Sequence, residues 1–440
     1  MEVRLIQYLS SKSLRRHPRN AHVHPKKQIE QLARSIRAFG FTNPILINQQ
    51  KEVLAGHARL EAAMAAGLQQ VPTILLDGLS AAEERAYLLA DNKLAEKSGW
   101  DDASLAVELR ELSALLADAG LDLEITGFET AEIDSLLSNF VDPEGDPGEE
   151  IPPICGEAVS RRGDLWHLGD NRLFCGDARE DPDLRALMGR DRADMAFADP
   201  PYNVKLRATL GRGKIKHREF AAASGEMSSR QYTRFLASAQ ALAAKYSVDG
   251  AIHFVCTDWR HLREMLDAGE EVYSELKNVV VWVKTNIGQG NFYRSQHELI
   301  FVWKNGHAQH RNNFDLGQHG RTRSNVWTYA GVNTFRANRL KDLEAHPTVK
   351  PVKLVADAIR DCSKRGDIIL DPFMGSGTTI LAADSIGRRA YGLELDPLYV
   401  DVAVRRWQAS ARRDALLHGT RQTFDEVAAA RRPHKKEVKR

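Results

Sequence analysis

Cysteine is nearly absent from this chain. There are four in 440 residues, namely Cys155, Cys175, Cys256 and Cys362. No two form a Cys-x-x-Cys pair, and none stands at metal-site spacing, so no metal is expected. That excludes a disulfide scaffold or a zinc ribbon and fits reduced thiols in a cytoplasmic protein. Long apolar runs are missing as well. None reaches the length of a membrane span. Met1 to Ser10 lacks the apolar core and small-residue cleavage site of a signal peptide, so no membrane partner is expected. Excess charge of one sign is missing too. The 61 Lys and Arg stand against 59 Asp and Glu, a net +2, so a polyanion must be met by local patches. No internal repeat is visible. What remains is an ordinary globular composition, long enough for two or three domains.

One boundary stands out. Val141 to Pro153 is acidic, rich in Pro and Gly, and almost free of apolar residues, which reads as a linker over 141–160. Before it, residues 1–140 form a separate unit. There the pattern predicts a helix over Ile29–Phe39, a strand over Pro44–Ile47, and a helix over His57–Ala66. A strand over Val71–Leu76 and a helix over Ala81–Leu94 follow.

The most informative residues are Asp199-Pro200-Pro201-Tyr202, placed where the apolar strand Ala193–Ala198 stops. Two prolines fix φ and remove two N–H donors, so the turn is stiff and offers carbonyls without competing amides. The Asp199 carboxylate and the Pro200 carbonyl can each accept one N–H of a planar amine, and Tyr202 can stack on the attached ring. A proline turn capped by a surface tyrosine is the plainer reading of the same residues. The second constellation is Asp371-Pro372-Phe373-Met374-Gly375-Ser376-Gly377-Thr378-Thr379, between the strand Asp367–Leu370 and a helix over Thr378–Ile386. Such a glycine loop lets a ligand approach the backbone at a helix N-terminus. A second strand, Arg389–Glu394, ends in an acid about 20 residues further on, where nucleotide folds place a carboxylate on ribose hydroxyls. The loop has neither a P-loop lysine nor the third dinucleotide glycine, Ile380 standing there instead. A ribose-bearing cofactor without phosphate, S-adenosylmethionine, fits best.

These motifs, with Cys175-Gly176-Asp177-Ala178 and His346-Pro347-Thr348-Val349-Lys350-Pro351, resemble the β group of DNA amino-methyltransferases over about 161–411. The resemblance implies methyl transfer to adenine N6 or cytosine N4 in double-stranded DNA, with the target base flipped out of the duplex. It implies that Asp199, Pro200, Pro201 and Tyr202 form the catalytic turn. Asp177 would reach the cofactor's adenine, and Asp371, Phe373, Gly375, Ser376, Gly377, Thr378 and Glu394 its methionine and ribose. Lys350 joins this cofactor set. An aspartate heading the tetrapeptide resembles the adenine enzymes. N4-cytosine transfer is the alternative, as are RNA or a protein amide as acceptor. A non-enzymatic alternative is a ParB-like DNA-binding protein with a degenerate second domain.

The N-terminal unit resembles the ParB/sulfiredoxin type through Gly40 to Ile45, Gly56-His57-Ala58-Arg59 and Ala90-Asp91-Asn92-Lys93. His57-Ala58-Arg59 departs from the partition proteins' Glu-Arg-Arg, which puts nucleotide hydrolysis in doubt, and no cysteine precedes Cys155, so sulfiredoxin chemistry is excluded. DNA binding or docking of a protein partner is the expected role, and a homodimer stays open. Further DNA contacts are expected from Lys205, Arg207, Arg212, Lys214 and Lys216, directly after the catalytic turn. Others are expected from Arg321 and Arg323 within a target-recognition region at about 304–345, which also holds Arg311, Asn313, Asn325 and Trp327. The stretch 412–440 reads as a mobile basic tail. The fold expected is α/β: a mostly parallel, Rossmann-like methyltransferase sheet with helices on both faces, plus a smaller α+β ParB-like domain. The strands Val279–Val283 and Leu299–Trp303 are its candidate antiparallel hairpin.

Overall fold

The computed structural model describes residues 4–118, 121–138, 151–152, 156–204, 223–285, 287, 292–314, 323–330 and 349–431. Two compact units emerge, residues 1–141 and 142–440.

The first unit holds β1 (Ile6–Ser10), β2 (Arg15–Arg16), α1 (Lys26–Phe39), β3 (Ile45–Ile47), β4 (Glu52–Ala55), α2 (His57–Ala65), β5 (Gln70–Leu75) and α3 (Ala81–Ala95). Its sheet runs β1-β5-β3-β4-β2. Ile45, Ile47, Val53, Leu60 and Val71 form its core. Ser80 and Glu83 close a reciprocal cap at the start of α3, which fixes where that helix begins. Two further helices, α4 (Asp102–Asp118) and α5 (Thr130–Ser138), enclose a small core of Leu109, Leu123 and Ile133. The strand and helix patterns read from the sequence did not reach these two.

The second unit is built on a ten-stranded sheet. Its elements are β6 (Leu165–Leu168), β7 (Asn171–Cys175), α6 (Asp181–Met188), β8 (Ala193–Ala198), α7 (Ser229–Lys245), β9 (Ser247–Thr257), α8 (Leu262–Val272), β10 (Glu275–Lys284) and β11 (His297–Lys304). They continue with β12 (Val326–Tyr329), α9 (Val352–Cys362), β13 (Ile368–Asp371), α10 (Thr378–Ser385), β14 (Arg389–Glu394), α11 (Pro397–Ala411), β15 (Leu416–Leu417) and α12 (Phe424–Arg431). The order is β12-β10-β11-β9-β8-β13-β14-β7-β6-β15. The five strands from β9 to β7 are parallel. β10 and β11 form the antiparallel hairpin anticipated from sequence, and β6 and β15 add an antiparallel edge.

β8 shows why its sequence is apolar without alternation. Met195 and Phe197 join the core under α9 to α11, while Ala196 and Ala198 face α6 to α8. A parallel strand covered on both faces has no polar side to show. β8 and β13 are parallel neighbours, yet the chain leaves β8 toward β9 and leaves β13 toward β14, on opposite sides. Such a divergence opens a crevice at the carboxyl ends of the two strands. Both sequence constellations lie there.

Two expectations are corrected by the packing. The linker does not extend to residue 160: Ile151 is buried, and the Val159 and Ser160 amides donate to the Asp401 carboxylate at 2.6 and 2.9 Å. The tail is not mobile from 412. β15 pairs with β6, Phe424 and Val427 enter the main core, and Arg431 is ion-paired with Asp164. Residues 432–440 lie outside the described residues. Among those described, no helix is long and apolar enough to cross a membrane.

Candidate active site

The Asp199–Tyr202 turn is held from behind. Tyr232 on α7 is fully buried and donates its hydroxyl to the Pro201 carbonyl at 2.9 Å. Asn203 adopts the left-handed conformation (φ 51°). Its side chain accepts from the Gly225 and Met227 amides and donates to the Met227 carbonyl. Residues on both sides of the 205–222 segment are thereby tied together. Lys205, Arg207, Arg212, Lys214 and Lys216 lie in that segment, outside the described residues, as do Arg321 and the His346-Pro347-Thr348 part of its motif.

Asp199 sits in a network of charges. Tyr202 donates its hydroxyl to Asp199 Oδ1 at 2.8 Å, and Lys350 Nζ donates to Asp199 Oδ2 at 2.5 Å. Lys350 also reaches Glu298 at 3.1 Å and the Tyr202 hydroxyl at 3.2 Å. Glu298 pairs on its other oxygen with Lys284. Two carboxylates and two ammoniums thus balance in a nearly closed site, where Lys350 is only 5% exposed. Burial disfavours the Lys350 ammonium, but Asp199 and Glu298 outweigh it and raise its pKa. Burial opposes the Glu298 carboxylate too, yet Lys350 and Lys284 hold it down to about 2. Asp199 is pushed up by burial and by Glu298, with Lys350 opposing. Cys256 on β9 lies in the same field; burial holds it well above the usual thiol range, so it stays protonated. Sequence reading missed Glu298. The available signal was an acid heading an otherwise apolar strand.

The second half of the crevice is acidic. Asp371 ends β13; its oxygens accept from the Phe373 amide at 2.9 Å and the Thr379 hydroxyl at 2.5 Å. Glu394 ends β14 and accepts from the Gly375 amide and the Asp396 amide, each at 2.8 Å. Burial pushes both acids up to about 7. The glycine loop needs its glycines. Gly377 has φ 88°, and a Cβ there would lie 2.8 Å from the Ala403 Cβ. Ser376 is anchored by buried Arg406, which donates to its carbonyl and hydroxyl. Asp177 is paired with Arg179 at 2.6 Å, which holds its carboxyl below the usual range despite burial. One pocket is lined by Asp177, Asp199, Pro200, Tyr202, Lys350, Asp371, Phe373, Gly375, Ser376, Thr378 and Glu394.

The expected recognition residues behave differently. Arg323 donates to Asp361 at 3.1 Å and to the Tyr329 hydroxyl at 3.0 Å, and its guanidinium lies 4.4 Å over the Trp327 ring. Asn313 donates to the Arg360 and Ser363 carbonyls, and Trp327 is buried. All three have partners within the fold, while the Arg323 Nη2 is buried without a hydrogen bond.

A mixed sheet with a parallel centre carries the diproline turn and the acidic glycine loop side by side at its switch point. Residues 193–405 match the family described as DNA methylase. Residues 2–93 match the ParB N-terminal domain and 103–162 the ParB-methyltransferase HTH domain. The chain thus carries a region matching the DNA methylase family, preceded by regions matching ParB-type domains. It is 28% identical over 234 residues to the Type II methyltransferase M2.DpnII of Streptococcus pneumoniae, covering 50% of this chain and 85% of that protein. Against the Type II methyltransferase M.HpaI of Haemophilus parainfluenzae it is 26% identical over 257 residues, covering 54% and 74%. Among solved structures, a putative DNA modification methylase of Thermus thermophilus complexed with S-adenosyl-L-methionine aligns at TM-score 0.39 and 21% identity, covering 57% of this chain and all of that one.

Proposed function

We propose that this chain methylates the exocyclic N6 of adenine in double-stranded DNA, with S-adenosylmethionine as methyl donor. The observation that carries the reading is Asp199, whose carboxylate and the adjoining Pro200 sit in one pocket with the Asp371–Thr379 loop. The pocket suits this cofactor. Asp177, Asp371, Glu394 and Asp396 line it, with Arg179 offsetting Asp177; once Asp371 and Glu394 are ionised, the lining favours a cationic ligand and disfavours phosphates. Asp371, Phe373, Gly375, Ser376, Gly377, Thr378 and Glu394 would hold it, with Asp177 at its adenine end. When bound, the cofactor supplies an electrophilic methyl on a sulfonium.

The protein's task is positioning. An aromatic amine is a weak nucleophile because its lone pair is delocalised into the ring. Asp199 and the Pro200 carbonyl accept its two N–H groups, favour a pyramidal nitrogen and aim the lone pair at the methyl. Tyr202 offers its ring to the flipped base, and unstacking that base costs a few kcal/mol. Tyr232 keeps the diproline turn rigid. An aspartate at the head of the turn supports adenine over cytosine. Nucleoside mass spectrometry on DNA from a methylation-free host expressing the chain tests this. N6-methyladenine is expected; N4-methylcytosine alone would overturn the base assignment.

A further inference from the structure

Both donors that occupy the Asp199 carboxylate have a second acceptor within reach, and it is the same residue. The Tyr202 hydroxyl lies 2.8 Å from Asp199 Oδ1 and 3.1 Å from Glu298 Oε2. Lys350 Nζ lies 2.5 Å from Asp199 Oδ2 and 3.1 Å from Glu298 Oε2. As it stands, Asp199 is a poor acceptor for a target amine. One oxygen is neutralised by an ammonium and the other holds a hydroxyl proton. Withdrawing those donors would leave a buried charge or hydroxyl unpaired, a penalty of several kcal/mol for the charge, were no other acceptor present. Glu298 removes that penalty. It is itself held in place by Lys284, on the neighbouring strand of the hairpin.

We propose that Glu298 is the reserve acceptor of this site: as the target amine enters, Lys350 and the Tyr202 hydroxyl pass from Asp199 to Glu298, freeing the Asp199 carboxylate for the amine. Glu298 is a positioning residue, acting through Lys350 and Tyr202. No covalent bond is made or broken; two donors exchange acceptors and the amine gains one. The inference rests on Asp199 being the amine's acceptor.

The test uses the full-length protein and steady-state methyl transfer to DNA at saturating cofactor. Glu298→Gln keeps the shape and removes the charge that draws Lys350 away. Turnover should fall at least tenfold, with S-adenosylmethionine affinity, read by calorimetry, unchanged. Adding Lys350→Met to that background removes the ammonium that then clings to Asp199, and turnover should rise above the Glu298→Gln level. A double variant as slow as, or slower than, Glu298→Gln would overturn the proposal, because a merely structural role predicts additive losses. Should Glu298→Gln fail to fold, the Glu298→Gln/Lys284→Met pair removes one charge of each sign and serves as the background instead. Near-normal turnover in Asp199→Ala would sink the acceptor reading itself, a result separate from failed rescue.

Discussion

The Asp199 carboxylate and the Lys350 ammonium meet at 2.5 Å although 151 residues separate them in the chain. The meeting is built from two anchored ends. Asp199 terminates a strand covered on both faces. Lys350 immediately precedes α9, which begins after Pro351 and buries Leu354, Val355 and Ile359 in the same core as Met195 and Phe197 of β8. Lys350 was expected with the cofactor residues, and it does line their pocket, but its hydrogen bonds go to the acceptor side.

On the proposed reading, Asp199→Ala removes one of the two acceptors for the target amine. Methyl transfer should drop by a factor of at least ~100, the scale of losing one preorganised polar contact. Cofactor affinity, read by calorimetry, should persist, because Glu394 and the glycine loop are untouched. Turnover near the parent level would mean that the turn only shapes the backbone.

Glu394 carries both a loop and a charge. Its oxygens hold the Gly375 and Asp396 amides, so Glu394→Ala should weaken S-adenosylmethionine by about 1.5–3 kcal/mol, the range for hydrogen bonds to a charged group. Burial raises Glu394 from 4.5, and Asp371 from 3.8, to about 7. A folded-state pKa raised this way means the folded protein holds protons that the unfolded chain has released. The resulting stability is complete below about pH 4 and is lost as pH rises through 7. The contribution of these two acids to thermal stability without cofactor, read as the difference between the parent and Glu394→Gln, should therefore fall between about pH 4 and 7, while buried His57 and His253, held down to about 4 and about 3, act in the opposite direction in both proteins. Cofactor affinity should rise over the same window, because the ionised acids are the better acceptors and partners for a cation. Glu394→Gln should flatten both trends; an equally steep variant would assign them to other groups.

That the Asp199–Tyr202 turn, the glycine loop and Glu394 would meet in one pocket was legible because each sits at a strand end, and strand-turn patterns span only a few residues. Glu298 was not, since it becomes meaningful only beside Tyr202 and Lys350, which pairing of β11 with its neighbours brings close. β15 was invisible for a different reason: two residues carry no periodicity. α12 did carry a signal, Phe424, Val427 and Ala428 at helical spacing, but the surrounding arginines made the segment read as a solvated arm. Arg323 reads from sequence as a basic side chain in a recognition interval; the fold adds Asp361, Tyr329 and Trp327 around it.

The fragment 142–440 should fold alone and bind S-adenosylmethionine, because it is a compact unit holding every residue of the pocket. It must keep Ile151, Val159 and Ser160, which pack onto α11. A start beyond residue 160 should lower the melting temperature; identical melting of the two fragments would show those contacts to be idle.

Within the HTH-matching stretch 103–162 the helical part is strongly acidic: between Asp101 and Ser138 the one basic residue is Arg110. Two of its acids are turned toward α1, with Glu129 on Lys27 at 2.7 Å and Glu124 near Arg34 at 3.6 Å. A surface of this sign repels phosphates. The preceding residues are the opposite, with Arg15, Arg16, Arg19, Lys26 and Lys27 exposed. The positive field there is felt by buried His57, held down to about 4 by burial and then by Arg16, His24, His17 and His22. DNA binding by the full-length protein should fall with salt. Arg19→Gln and Lys26→Gln should each reduce the log–log slope by about 0.9 if each side chain neutralises one phosphate. Arg110→Gln should leave the slope where it was. The reverse pattern, a shallower slope only for Arg110→Gln, would return DNA contact to the helical stretch and leave the basic face without a nucleic-acid role.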